Sequence, residues 1–72
     1  MIERVDEIAV DERGIRLGQL LKLAGLADSG SDAKALLATG EVTVNGEPDT
    51  RRGRQLHPGD VVRVGSHGVR IA

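Results

Sequence analysis

The sequence predicts an α+β fold in which two short packed helices lie against a small, mostly antiparallel sheet of four to five strands. Three observations support this prediction. Apolar residues recur twice at the i, i+3, i+4, i+7 spacing of one helix face. Valine-rich runs in the second half of the chain alternate with turn signals. The 72 residues contain no internal repeat, linker or low-complexity tract, so we expect one compact domain over residues 1–72.

The first predicted elements are a strand and a helix. Residues 4–10 alternate loosely between polar and apolar types, which favours a strand, and residues 11–14 favour a turn. Gly18 lies inside the first predicted helix, where it costs about 1 kcal/mol relative to alanine. We therefore expect another group to approach this helix closely, and we expect Gly25 to end it. The apolar face of this helix consists of Leu17, Leu20, Leu21 and Ala24.

A six-residue linker leads to the second predicted helix. Ser29 and Asp32 are spaced as in a capping box, although Ser31 could serve as the N-cap instead. Gly40 follows the helix as a candidate left-handed C-cap. The i, i+3, i+4, i+7 spacing recurs at Ala33, Leu36, Leu37 and Gly40.

The rest of the chain predicts short strands joined by tight turns. Asn45-Gly46 follows the strand at 42–44 and is a strong signal for a two-residue hairpin. Pro48 limits the return strand to a short edge piece, and residues 49–54 form a polar, basic loop. Pro58-Gly59 then predicts a type II turn. A strand at 61–64, a turn at 65–68 and a last strand at 69–71 complete the sheet.

Composition limits both the core and the available chemistry. The chain has 28 apolar residues and no Phe, Tyr or Trp, so aliphatic side chains form nearly all of a small core. The absence of cysteine excludes disulfides, thiol catalysis and a cysteine-based zinc site. No run of about 18 apolar residues is present, so no membrane-spanning helix is expected. The acidic, mixed N-terminus resembles neither a secretory signal nor a transit peptide, which predicts a cytoplasmic protein.

Candidate catalytic groups are scarce. His57 and His67 both fall in predicted turns without the three or four convergent ligands that a metal site needs. Ser29 and Ser31 are better explained as helix caps than as nucleophiles. The ten glycines form no phosphate-binding or dinucleotide-binding motif. We therefore predict a protein that is not an enzyme, with no metal, no cofactor and no small-molecule substrate.

The distribution of charge is more informative than its total of −1. Residues 1–12 carry five acids against one arginine, a net charge of −4, whereas residues 13–72 carry nine bases against six acids, a net charge of +3. Eight of the ten bases are arginine, whose planar guanidinium suits phosphate. Three arginines at 51, 52 and 54 lie in one loop, which is either a solvated surface or part of an anion site. Lys34, Arg16 and Lys22 lie on the predicted helices and could extend such a site.

Three segments resemble the S-four-type RNA-binding domain, a family named for a ribosomal small-subunit protein. The helical pair RLGQLLKL (16–23) and SGSDAKALL (29–37) is similar to that family's helical pair. GEVTVNGE (40–47) resembles its G-x-V-x-V-N-G hairpin, and LHPGDVVRV (56–64) resembles its closing strand. The resemblance covers a core motif of about 14–65. DTRRGR (49–54) further resembles the small stand-alone branch, the YaaA/YbcJ-like proteins.

The resemblance implies an αL motif that binds structured RNA, either ribosomal or transfer RNA, free or on the ribosome. We also expect the protein to be a monomer. Asp32 departs from the pattern, because many members carry a base there. Without aromatic side chains to stack on bases, recognition should rest on phosphates and shape. By position, the implied RNA contacts are Arg16, Lys22, Ser31, Lys34, Arg51, Arg52 and Arg54.

Two other functions compete with RNA binding. A protein-docking module would expose an apolar patch of more than a few hundred Å². A β-grasp sulfur carrier would need a C-terminal diglycine, whereas this sequence ends in Ile71-Ala72. For the acidic strand, we expect Val5, Ile8 and Val10 to pack on the sheet and the acids to face solvent, away from the RNA face.

Overall fold

The computed structural model describes residues 4–72 and confirms the α+β fold. Two helices and seven strands lie in this range. Three of the strands have only two residues. In chain order the elements are β1 (Arg4–Ile8), β2 (Ile15–Arg16), α1 (Leu17–Leu23), α2 (Gly30–Ala38), β3 (Val42–Val44), β4 (Glu47–Pro48), β5 (Gln55–Leu56), β6 (Val61–Val64) and β7 (His67–Ile71).

Five strands form the main sheet in the order β1-β7-β6-β3-β4. The pairs within β7-β6-β3-β4 are antiparallel, whereas β1 pairs with β7 in parallel. A second, two-stranded sheet joins β2 to β5, with Ile15 opposite Leu56. Two-residue strands carry no hydrophobic period, which is why the sequence did not predict this pair. The small sheet brings the end of the basic loop to the start of α1.

The core lies between the two helices and one face of the main sheet. Leu17, Leu20 and Leu21 of α1 are fully buried, as the helical spacing predicted, and Leu37 of α2 is almost fully buried. Leu36, on the same predicted face, is partly buried against the core. The sheet contributes a set of valines and one isoleucine that alternate along the strands: Val42, Val44, Val62, Val69 and Ile71.

The predicted hairpin turn at Asn45-Gly46 is confirmed by backbone geometry, whereas the turn predicted at 65–68 is shorter, because His67 and Gly68 already pair with β6 as part of β7. Asn45 and Gly46 have φ values of +53° and +87°, as a two-residue hairpin turn with both central residues left-handed requires. The Asn45 side chain also donates to Asp60 Oδ1 (3.0 Å) and accepts from Val61 N–H (2.9 Å). These bonds tie the hairpin to β6. The bond from Asn45, followed by one from the His57 backbone, lowers the pKa of the Asp60 carboxyl.

The acidic strand departs in part from its predicted packing. Ile8 and Val10 pack partly buried against the core, but the Val5 side chain is 48% exposed, so its predicted burial is wrong. Side chains alternate between the two faces of a strand, so Val5 lies on the opposite face of β1 from Ile8, which is aligned with the buried Ile71. The Asp6 carboxylate lies 3.0 Å from His67 Nε2 on the paired strand β7. Glu3 lies outside the described residues.

Replacing Ser29 by alanine should lower the free energy of unfolding by about 0.5–2 kcal/mol, because Ser29 is the N-cap of α2. Its hydroxyl oxygen accepts from Asp32 N–H at 3.1 Å. Denaturant unfolding measures the loss. Ser31→Ala, two residues further along the same helix, is the matched control and should change stability little. An equal loss in both variants would contradict the assignment of Ser29 as the cap.

Candidate nucleic-acid interface

The backbone of the basic loop is docked on the first turn of α1. Leu17 N–H donates to the Arg54 carbonyl (2.8 Å), and Gly18 N–H donates to the Arg52 carbonyl (2.9 Å). These are amides that the helix itself leaves without partners. The Gln19 side chain accepts from Arg16 N–H (3.2 Å) at the same helix end. The loop is therefore held against α1 by main-chain hydrogen bonds.

Gly18 allows the Arg52 side chain to lie directly on α1. A Cβ at position 18 would overlap Arg52 Cγ, which confirms the predicted close approach at this glycine. The guanidinium then extends toward α2, where Nη1 is 3.9 Å from the place that a Cβ on Gly30 would occupy. Arg52 thus bridges the first helix and the N-terminus of the second.

A groove of about 330 Å³ opens at this bridge. Arg16, Lys22 and Arg52 line it with positive charge, and within residues 4–72 no acidic residue is among its lining residues. Gly30 and Gly53 make close backbone approach possible, and Gln19 adds a side-chain amide. The uncharged lining residues are Gly18, Gln19, Gly30, Ala33 and Gly53. Such a groove can hold an anionic ligand whose backbone passes between the two helices.

The other two loop arginines have a different environment, because both bind Asp49. The Asp49 carboxylate lies 2.9 Å from Arg51 Nη2 and 2.8 Å from Arg54 Nη1. Its side chain is only 5% exposed. Hydrogen bonds from Arg51 above all, and then from Arg54, hold the pKa of this carboxyl well below its usual range against the opposing effect of burial. The same pairing raises the pKa of Arg51.

The structure thus divides the predicted contact residues into groups. Three of them, on β2, α1 and the loop, meet at the groove. Lys34 and Ser31 are exposed on α2 and are not among the lining residues. Lys34 follows Gly30 by four residues, one helical turn along the same face. Arg51 and Arg54 lie against Asp49.

The sequence analysis singles out neither Asp49 nor Gln19. Asp49 lies in the predicted polar loop, and an acid two residues before an arginine is a pattern that favours a local side-chain-to-backbone bond. Arg51 N–H does donate to Asp49 Oδ1 (2.8 Å). Gln19, at the third position of α1, could have been found as the partner in a capping arrangement.

Asp11 brings one acid close to the groove. It shares a shallow depression with Arg16 and Gln19, beside the end of β2. The strand β1, in contrast, lies at the opposite sheet edge from β4, which precedes the basic loop. Asp11 is thus the acid of the N-terminal segment that shares lining residues with the groove.

Among residues 4–72, no three His, Asp or Glu side chains are grouped so that they could hold a metal ion. Neither described helix has the length and apolar character that crossing a membrane requires.

The stability that Asp49 provides should depend on pH. Its pKa is lower in the folded protein than the unfolded value of about 3.9, so the stabilisation is complete above about pH 5. It is lost as the pH falls below about 4 toward the folded pKa. We expect Asp49→Asn to lower the free energy of unfolding by about 1–3 kcal/mol at pH 7. In urea titrations, the difference in unfolding free energy between Asp49→Asn and the parent should become smaller below pH 4. A difference in unfolding free energy that stays constant down to pH 2 would contradict the assignment of this stabilisation to the ionised Asp49 carboxylate.

Fold and groove together define a small αL-type domain: two short helices, a hairpin and a closing strand, with a cation-lined groove between the helices. The chain belongs to the S4 RNA-binding domain family. Residues 8–72 match the S4 domain, which confirms the resemblance found in the sequence. This membership excludes the β-grasp alternative.

Similar proteins place the chain in the small stand-alone branch. It is 52% identical over 61 residues to the "Probable ribosome maturation protein RlbA" of Bacillus subtilis strain 168, covering 85% of this chain and 86% of that protein. It is 37% identical over 57 residues to YbcJ of Escherichia coli K12, covering 79% and 81%. The solution structure of E. coli YbcJ, described as revealing an αL motif involved in RNA binding, matches with a TM-score of 0.67 at 29% identity. That match covers 100% of this chain and 90% of YbcJ.

Proposed function

We propose that this protein is a non-catalytic RNA-binding protein that recognises structured RNA, ribosomal or transfer RNA, through its phosphates. The observation that carries the proposal is the convergence of Arg16, Lys22 and Arg52 on one groove that has no acidic lining residue. Guanidinium and ammonium groups at close spacing neutralise successive phosphates and release counterions. Lys34, Ser31 and Arg51 extend this surface at its margins. Arg54 supports the loop through its ion pair with Asp49.

The relatives favour ribosomal RNA as the target. RlbA is named for ribosome maturation, and the YbcJ structure is described in terms of RNA binding. We infer that this protein acts in the cytoplasm on ribosomal RNA or on the ribosome, without a cofactor or a small-molecule substrate. A folded RNA suits the site, because the chain has no aromatic side chain on which single-stranded bases could stack.

The competing docking function has weaker support. Among the described side chains, Val5 and Leu23 are the exposed large apolar residues. They lie on separate elements, β1 and α1, whereas a docking surface should present a contiguous patch. Isolated exposed aliphatics are ordinary on a monomer. We therefore propose that the protein acts as a monomer.

Binding through phosphates predicts a steep dependence on salt. If three to five phosphates are neutralised, the logarithm of affinity should fall against the logarithm of salt concentration with a slope of about −2 to −4. Titration of ribosomal RNA fragments and transfer RNA at several salt concentrations measures this slope. A slope near zero, or equal affinity for an unstructured homopolymer, would contradict the proposal. Crosslinking in cells followed by RNA sequencing would then identify the bound RNA.

A further inference from the structure

We propose that Asp49 is a positioning residue of the RNA site: its buried carboxylate shapes the loop so that Arg52 is presented to the groove. This inference rests on the proposed function. It assigns a role in binding to an acid, the residue type that simple electrostatics would place among the repelling groups.

The carboxylate joins the two ends of the loop. Oδ1 accepts from Arg51 N–H (2.8 Å) and Arg51 Nε (3.2 Å). Oδ2 accepts from Arg51 Nη2 (2.9 Å) and Arg54 Nη1 (2.8 Å). Between these contacts, Arg54 N–H donates to the Arg51 carbonyl (3.2 Å) and closes the turn. The arginines on either side of Arg52 and Gly53 are thus tied to one buried acceptor.

This arrangement selects which guanidinium points to the groove. Arg54 is committed to Asp49, and its side chain is 30% exposed. Arg51 is 71% exposed but uses two side-chain donors on the same carboxylate. Arg52 lines the groove. The first amides of α1 donate to the backbone carbonyls of Arg52 and Arg54. The loop conformation that Asp49 holds therefore also fixes the position of the Arg52 backbone, from which the side chain extends to the groove.

A positioning role and a purely electrostatic role predict opposite effects of Asp49→Asn on RNA affinity. If Asp49 acted on RNA only as a negative charge, its neutralisation would strengthen binding. If it acts by shaping the loop, Asp49→Asn weakens binding even though the protein becomes more positive. The loss of RNA affinity caused by Asp49→Asn should then disappear in the Arg52→Ala background, because two changes that act through one contact are not additive.

The experiment is a double-mutant cycle on the full chain, read as affinity for a ribosomal RNA fragment that the parent binds. We expect Asp49→Asn and Arg52→Ala each to weaken binding about tenfold, and the double variant to bind about as well as Arg52→Ala. Asp32→Asn is the matched control, because it removes the same charge from an exposed side chain in the first turn of α2. It should strengthen binding about twofold. Circular dichroism at the assay temperature verifies that each variant is folded.

Arg54→Gln provides a second route if Asp49→Asn does not fold. It removes one tie to the loop and leaves Asp49 paired with Arg51. Its loss of affinity should also vanish in the Arg52→Ala background, whereas a direct phosphate contact by Arg54 would give an additive loss.

Two results would overturn the proposal while the parent still binds RNA. One is stronger binding by Asp49→Asn, as in the Asp32→Asn control. The other is an equal loss of affinity from Asp49→Asn in the parent and in the Arg52→Ala background. Failure of the parent to bind any structured RNA would instead reject the proposed function, and the role of Asp49 would fall with it.

Discussion

Replacing Leu37 by alanine is expected to lower the free energy of unfolding by about 2–5 kcal/mol. Leu37 is almost fully buried in the core between α2 and the sheet, so its removal leaves a cavity that close packing cannot fill. A 72-residue domain buries a smaller share of its surface than a larger one and has little stability to spare. We expect most of the variant to be unfolded at 37 °C, as measured by thermal and urea unfolding.

Leu23→Ala is the matched control for this loss. The same atoms are removed, but from a side chain that is 60% exposed at the end of α1. Its unfolding free energy should change by no more than about 0.5 kcal/mol. If the two variants were destabilised equally, the division between the core and the surface of these helices would be wrong.

Simultaneous replacement of Arg16, Lys22 and Arg52 by alanine is expected to weaken RNA binding by about 100-fold or more at low salt. Each side chain lines the groove and can neutralise one phosphate. The slope of log affinity against log salt should therefore become less steep by about 2 to 3 units, at 0.7–0.9 for each cation. Stability should change little, because Lys22 and Arg52 are exposed and none of the three belongs to the core.

Arg70→Ala is the control for loss of positive charge. Arg70 is exposed on β7 and is not among the groove-lining residues. This variant should bind RNA almost as well as the parent and keep its slope within about one unit. If the triple variant bound like the parent, the groove would be an ordinary solvated surface and the docking function would become the leading alternative.

Local physics made much of this fold predictable from the sequence. Leu17, Leu20 and Leu21 recur at helical spacing, and all three are buried. Ser29 caps α2 because its short side chain can reach the amide three residues on. Asn45-Gly46 forms the hairpin turn because both residues tolerate positive φ. The family could also be predicted, since its motifs are short local patterns of this kind.

The amino-acid sequence thus predicts the two helices and their core faces, the strands of the main sheet and a set of basic residues that includes the three at the groove. It does not predict the β2–β5 pair or how these parts pack together. The parallel pairing of β1 with β7 depends on contacts about 60 residues apart along the chain. The different roles of three neighbouring arginines depend on where one carboxylate is buried. Periodicity reports which face of an element is apolar, but it carries no information on which distant backbone or charge will lie against that face.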